Sequence, residues 1–543
     1  MSFAGADRSA VFARWWGRDR LAALLNTGLA ELAPVLDGHG PGRVPGPLGA
    51  VARSDLLRRF ARLPQEPDPD PDRLLRELTS GLFAGAVNWR SPHAQHNVGS
   101  AVSVVPAAVS ALSAAVNINL INDDQGGNAV ITEPAVGRIL AELARVDAER
   151  LRVVFTFGGT GTVLYGMKAG LRKAAPESAR TGTPADAVVV VVANAHFSVA
   201  RAADWLGIGA DRVRVVPDGP GCVAATETAL RAVLDDGGRI AAIVVNGGTT
   251  LDHAVDDIEG CAALRDRLVT EYALGYRPHL HVDAVIGWVW LFVGTPGGAA
   301  RAAAADPAIT ARLTEQYRRI AAVRHADSWG VDFHKGPGCV SLDSSCVVFN
   351  DAADLERLGG DLEVSVVGPE RDRVTNLGYT LETAREAGKA IAALAALHTL
   401  GSAGFVDVLT VLVAAAARLR QSFGASSDWL VLNPDALGYQ TSLRPLPPGT
   451  PRELNPLQDT DSERVRRGND YVTAFFDWDN QTRMQAGLPG VVYSYCANYR
   501  TGACGAPVSA LKFYPVSPLI SAAEVTGAAE LLVKRKAEFD ALR

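Results

Sequence analysis

Four short stretches of the 543-residue chain hold residue types that could do chemistry in the order in which they occur. Phe157-Gly158-Gly159-Thr160-Gly161-Thr162 follows a β-branched run and opens a helical pattern. Glycines let a backbone approach a ligand closely, and a helix N-terminus presents free N–H groups and the positive end of a dipole. The stretch therefore reads as a phosphate cradle. No Gly-Lys-Ser/Thr follows and the spacing is not Gly-x-Gly-x-x-Gly, so it is neither common nucleotide loop. Taken alone, it serves equally well as a plain strand-to-helix turn. Asn194-Ala195-His196-Phe197-Ser198 follows the run AVVVVVA (187–193). A His at the carboxyl end of a parallel strand stands where α/β sheets bind ligands, although a capping or core histidine is the plainer account of that motif by itself. In HLHVDA (279–284), Asp283 ends a buried apolar strand. A carboxylate there is costly unless a cation or a helix cap partners it. Lys335 closes ADSWGVDFHK (326–335), directly after His334 and before Gly336-Pro337-Gly338. Such a lysine, held near other cations and partly buried, suits a nucleophilic, Schiff-base-forming amine. A surface lysine is the ordinary alternative.

The elements that must position these residues follow from periodicity. VVFTF (153–157), AVVVVVA (187–193), RVRVV (212–216), IAAIVVN (240–246) and HLHVDA (279–284) read as strands, with helices at 160–174, 198–206, 224–235 and 257–273. Continuous apolar strands alternating with helices predict a mostly parallel sheet covered on both faces. Upstream, residues 1–63 carry a helical stripe that includes Trp15, Trp16, Leu21, Leu24 and Leu25. The prolines of PQEPDPDPD (64–72) make an exposed linker, and helical patterns follow at 102–118 and 134–146. After about 380, helices at 382–398 and 403–422 lead into short alternating segments near 429–433, 490–497 and 508–513. The expected division is an N-terminal helical segment and linker (1–100), a large α/β domain (101–395) and a small α+β domain (396–543).

Composition sets bounds. The chain is 48% hydrophobic and long enough to bury a large core without disulfide or metal staples. Its formal charge of −6 is small for the length and argues against a nucleic-acid binder. None of the six cysteines forms a Cys-x-x-Cys pair or a zinc-spaced cluster, so buried thiols in a reducing compartment are expected. Charges at Asp7, Arg8 and Arg14 do not suit a signal peptide, and apolar runs such as 188–193 are too short to span a bilayer. The expected location is the cytoplasm.

Phosphate loop, then His, then Asp, then Lys is the order of parts in a pyridoxal 5′-phosphate (PLP) site. There, a buried carboxylate partners a protonated pyridine nitrogen. With GGT (158–160), HFSVARAADWLG (196–207), HVDA (281–284), ADSWGVDFHK (326–335) and LETAREAG (381–388), the chain resembles the group II PLP-dependent amino-acid decarboxylases over about residues 85–540. The resemblance implies the aspartate-aminotransferase-like fold (fold type I) and decarboxylation of an L-amino acid to the amine. It implies that Gly158, Gly159 and Thr160, helped by His334, hold the phosphate. It implies that His196 stacks on the ring and that Asp283 binds the ring nitrogen, with Ala284 or Val285 packing nearby. The resemblance further implies that Thr249, in NGGTT (246–250), lies near the cofactor and that Lys335 forms the internal aldimine. His93, His96 and Asn97, in SPHAQHN (91–97), and Asn128 are the implied substrate-pocket residues. No metal is implied. The implied assembly is a homodimer with sites at the interface.

The pattern departs from the family in places. Many relatives carry a Tyr on a loop after the lysine, whereas here no Tyr or His occurs between Gly336 and Gly378, and Tyr379 is the first. That departure keeps open other PLP chemistry on the same fold: decarboxylation-coupled aldehyde synthesis, lyase or aminotransferase reactions, or a non-catalytic PLP-binding homologue. Lys512 stands where relatives often have Arg. Asp123, Asp124 and Gln125 resemble a pair that relatives acting on diamino acids carry, though a solvated loop or cap is the plainer account.

Overall fold

In the computed structural model the described residues are 17–36, 50–63, 65, 70–83, 86–97, 99–359, 376–486 and 490–543. Trp15, Trp16, part of the proline-rich linker and much of the segment between Gly336 and Gly378 lie outside them. Seven strands form the main sheet: β1 (Arg152–Phe157), β2 (Ala187–Val192), β3 (Val213–Val216), β4 (Arg239–Asn246), β5 (His279–Asp283), β6 (Ser328–Asp332) and β7 (Ser344–Phe349). Their spatial order is β1-β7-β6-β5-β4-β2-β3. Strands β3, β2, β4, β5 and β6 pair in parallel, and β7 is antiparallel to both β6 and β1. Six strands therefore share one direction, and only β7 reverses. The carboxyl ends of β1, β2, β4, β5 and β6 meet at one edge, where all four sequence motifs emerge.

The reason is in the side chains. Every residue of β2 (AVVVVV) is buried. Each such valine, covered on either face, contributes about 2 kcal/mol of hydrophobic stabilisation. Four helices matter for the site: α1 (Val104–Val116), α2 (Gly159–Ala174), α3 (Ser198–Trp205) and α4 (Gly388–Phe423). Helix α2 lies tight against the sheet because its contact face is glycine. A Cβ at Gly166 would collide with the His281 ring, and one at Gly170 with the Ala241 carbonyl. This close approach brings the start of α2 to the sheet edge. Helix α4 merges the two helices expected at 382–398 and 403–422, with a kink at Gly401 (φ 57°). It is long and apolar enough to cross a membrane by length and composition, but it packs on α1 and the C-terminal helix (Ala522–Asp540), with Phe405, Leu409, Leu412 and Leu419 buried. The expected boundary at 395/396 falls inside it.

The smaller sheet is antiparallel, β10-β11-β9-β8, built from β8 (Trp429–Val431), β9 (Thr441–Pro445), β10 (Ser494–Thr501) and β11 (Pro507–Phe513). It packs beside the carboxyl edge of the main sheet. The Tyr514 hydroxyl, just past β11, donates to the Thr250 carbonyl at 2.8 Å. The sequence reading missed β6, β7 and β9.

Candidate active site

A cavity of about 350 Å³ opens at the carboxyl edge. Its walls include Gly158, Gly159, Thr160, His196, Thr249, Asp283, His334 and Lys335, which the sequence had singled out separately. The turn before α2 is made by Gly158 in a left-handed conformation (φ 80°), which a Cβ would strain. Among the described residues no side chain caps the α2 N-terminus, which leaves its first N–H groups at the cavity for a ligand. Lys335 Nζ stands 3.6 Å from where a Cβ on Gly159 would sit. Glycine thus leaves the space between lysine and helix start free.

Asp283 ends β5 nearly fully buried, and its Oδ1 has no hydrogen-bond partner. Burial pushes its carboxyl above the usual carboxylate range, against the pull of Lys335. An orphaned acid in this position fits a cationic ring N–H, and the uncapped helix start fits a phosphate. His196 accepts at Nδ1 from the Ser198 N–H (3.3 Å) and faces the Ser198 hydroxyl at 2.9 Å. Nε2 is then the free ring nitrogen. Burial, with Lys335 and Lys512 adding to it, holds this imidazole down to about 4, so it is neutral at pH 7. Thr249 donates its hydroxyl to Asp252 Oδ1 at 2.7 Å.

Other expected residues fall differently. Asn97 lines the cavity, its N–H held by Ser494 Oγ at 2.9 Å. His96 stands behind it, with Nδ1 2.9 Å from the Asn97 carbonyl and its ring against Trp89. His93 is buried beneath and does not line the cavity. Ala284 is fully buried, and Val285 takes the wall position instead. Asn128 is exposed on the short turn Gly127–Ile131, outside the cavity. Asp124 and Gln125 are exposed in a one-turn helix capped by Asn122. Tyr379 lines a different cavity, with Glu133 and Asn376.

Two residues were missed, Asp332 and Asn246, and a third, Lys512, was noted without a role. Asp332, fully buried at the end of β6, pairs through Oδ1 with the His334 ring, and its unpartnered Oδ2 lies 3.6 Å from Lys335 Nζ. The Asp-x-His-Lys spacing was visible, but only the fold shows that the acid turns inward. Asn246 lines the cavity one strand from Asp283, its amide donating to Asp256 (2.9 Å) and to the Ala193 carbonyl (3.0 Å). Lys512, in β11, is buried, and among the described residues no carboxylate pairs with it. Its charge lowers both His96 and His196.

A parallel α/β sheet presenting an uncapped helix, a buried orphan acid, a neutral histidine and a lysine in one cavity carries the parts that a PLP site needs. The comparisons narrow this reading. Residues 56–296 match the pyridoxal-dependent decarboxylase conserved domain, a match that supports PLP as the cofactor. It is 28% identical over 282 residues to the L-2,4-diaminobutyrate decarboxylase of Rhizobium meliloti (strain 1021), a match covering 49% of either chain. The chain thus spans about half the length of this curated relative. Its fold is similar to that of mouse CSAD in apo form (TM-score 0.74, 15% identity, 94% of this chain and 98% of that one). It is also similar to Oryza sativa TDC with PLP and tryptamine (TM-score 0.72, 18% identity, 99% of each chain).

Proposed function

We propose that this protein decarboxylates an L-amino acid to its amine, with PLP attached through Lys335. The convergence in one cavity of the bare α2 N-terminus, the orphaned Asp283 carboxyl, neutral His196 and Lys335 carries this reading. PLP, when bound, supplies the electron sink into which the pair from the broken Cα–carboxylate bond flows. The chain's own groups do the rest. The N–H groups of Gly159 and Thr160 bind the phosphate. The Asp283 carboxylate holds a proton on the ring nitrogen, in a low-dielectric setting that strengthens the pairing. His196, uncharged, packs as a flat wall and orients the substrate without drawing its charge. The Lys335 amine is the nucleophile and a mobile proton carrier at Nζ. Lys512, a buried cation with no acidic partner, recruits the substrate carboxylate.

Which amino acid is used, and the fate of Cα afterwards, are the finer points. The absence of Tyr from 336–378, with Tyr379 in another cavity, favours a second reading in which carbon dioxide loss is coupled to oxidative deamination by dioxygen, giving an aldehyde, ammonia and hydrogen peroxide. The assembly we propose is a homodimer. Helix α1 carries no charge and exposes Val104, Val105, Leu112 and Val116, while the Ser103 N–H just before it bonds the Cys339 carbonyl (3.0 Å) in the segment following Lys335. A second copy seated on this face would abut the site.

The test is a visible-spectrum titration of purified protein with a panel of amino acids, following carbon dioxide, ammonia and peroxide. A spectral shift with carbon dioxide and amine supports decarboxylation, and added ammonia and peroxide supports the aldehyde reading. A shift without carbon dioxide rejects both. Sedimentation reads the dimer, and a monomer at micromolar concentration rejects it.

A further inference from the structure

The loops after β2 and β4 bring His196 and Thr249 to the cavity wall, and both loops are fastened to the same side chain from the smaller sheet. Arg500, in β10, lies at a register irregularity in the pairing with β11, where a strand bends and re-aims its side chains. One arm of its guanidinium donates to Asp252 Oδ2 at 2.7 Å and the other to Asp218 Oδ2 at 3.2 Å. Asp252 accepts the Thr249 hydroxyl proton through its other oxygen, at 2.7 Å, and the Ala254 N–H at 3.1 Å. Asp218 accepts from the Asn194 amide at 2.7 Å. Asn194 turns the chain in a left-handed conformation (φ 61°) two residues before His196. The ion pairs are only partly exposed, with side-chain accessibilities of 31% for Arg500, 25% for Asp218 and 15% for Asp252. Water therefore competes weakly for them.

We infer that Arg500 is a positioning residue for the cofactor pocket, bridging Asp252 and Asp218 so that the two loops carrying Thr249 and His196 keep a fixed spacing. This rests on the PLP reading above. The bridge has a chemical consequence as well as a mechanical one. A Thr249 hydroxyl that donates to Asp252 presents only its lone pairs to a ligand, and Arg500, bonded to the other Asp252 oxygen, holds that carboxylate in place. A fork is needed because a lysine offers one compact charge and cannot serve two carboxylates in fixed geometry.

The test measures PLP affinity of the full-length protein after cofactor removal, together with kcat, KM and thermal melting. Arg500→Met and, as an isosteric second variant, Asp252→Asn should each weaken PLP binding about tenfold or more and lower kcat at saturating PLP more than they change KM. Arg500→Lys should recover part of the loss. Adding Thr249→Val to Asp252→Asn should cost nothing further, because the two act as one unit. PLP affinity and kcat equal to wild type in Asp252→Asn, with at most a lower melting temperature, would overturn the inference and leave Arg500 a tie between domains. Fully additive losses would overturn it too. Wild-type protein that binds no PLP would refute instead the reading on which it rests.

Discussion

Strands β5 and β6 carry charged residues at both ends, and the two ends are built on opposite rules. At the amino end, Asp327 is buried and saturated. It takes Arg265 Nη1 and Arg277 Nη1 at 2.7 Å, the Leu280 N–H at 2.7 Å, and Lys173 at 3.4 Å. Its carboxyl is held down to about 2, the cationic neighbours overcoming burial. At the carboxyl end, Asp283 and Asp332 are as deeply buried, yet among the described residues each keeps an oxygen with no hydrogen bond, Asp332 Oδ2 meeting only the Lys335 amine at 3.6 Å, and Asp283 is pushed up. The first arrangement is finished without a ligand; the second awaits one. Burial of charge is thus no guide to function by itself. The unpaired remainder is.

The comparison breaks most completely at Lys335. Lys335→Ala removes the amine that faces both unpaired acids, and it should abolish the visible absorbance of lysine-bound cofactor and all measurable turnover. A protein of wild-type spectrum in that variant would mean the unpaired end is not the cofactor site.

Matched substitutions at the two ends come next. Asp283→Asn should lower turnover about 100- to 1,000-fold, the range for losing one preorganised electrostatic partner. The sign for stability runs the other way. A carboxyl whose folded value is raised is better tolerated protonated, so its ionised form costs stability as pH rises, and replacing it leaves the PLP-free protein at least as stable at pH 7. Asp327→Asn should do the reverse. It takes the buried charge away from Arg265, which is fully buried and keeps only the half-exposed Asp266, and should destabilise by about 3–5 kcal/mol, while molecules still folded retain wild-type PLP affinity. Urea melts and PLP titrations of both variants check this. Equal stability losses at both ends would erase the distinction.

Acid sharpens the contrast. His253, His279 and His281 are completely buried, and burial holds them well below 6.5, to about 3 in His253 and His281. His279 and His281 share the Ser328 hydroxyl at 2.7 and 2.8 Å. Below pH 6.5 the unfolded chain takes up protons that these folded imidazoles refuse. Stability is then fully present above that pH and falls by about 1.4 kcal/mol per unit for each ring on acidification. Asp327, depressed to about 2, keeps its contribution until far lower pH. Unfolding free energies at pH 7, 6 and 5 should therefore decline before any carboxylate of the paired end titrates. A flat profile over that range would show that the rings carry their protons in the fold.

What was legible in the sequence divides along the same line. Strands β1, β2, β4 and β5 announce themselves because a doubly covered parallel strand must be continuously apolar; β3, half exposed at the sheet edge, shows only its β-branched run. Strands β6 and β7 were missed because their signal is mixed. Ser328 and Asp332 point inward to serve His279, His281 and His334, and Ser344 and Ser345 are buried in β7. The interior position of Arg444 likewise disguises β9. Lys335, Asp283, His196 and the glycine turn were readable because chemistry needs those types in that order. The Asn246 bond to Ala193 and the Arg500 bridge were not, since they join residues 53 to 282 positions apart, which no local pattern records; Asp332, only three residues from Lys335, was not because only the fold turns it inward. Helix α4 was read as two because Gly401 interrupts a pattern that the fold merely kinks.

The smallest expected effect concerns the third unpaired charge, Lys512. Burial lowers this ammonium, and only the Cys496 thiol acts to raise it. If Lys512 belongs to the unpaired class, its partner is the substrate, and the carboxylate lost in the reaction is the group chemically suited to it. Lys512→Met should then raise KM about tenfold, the value of one charged hydrogen bond, while PLP affinity is unchanged. Because the ammonium also lowers His196, the variant should move the imidazole upward and shift the acid limb of the rate profile to higher pH. Removing a buried unpaired cation should raise thermal stability at the same time. A Lys512→Met protein that is less stable, with KM intact, would move Lys512 to the paired, structural class beside Arg265.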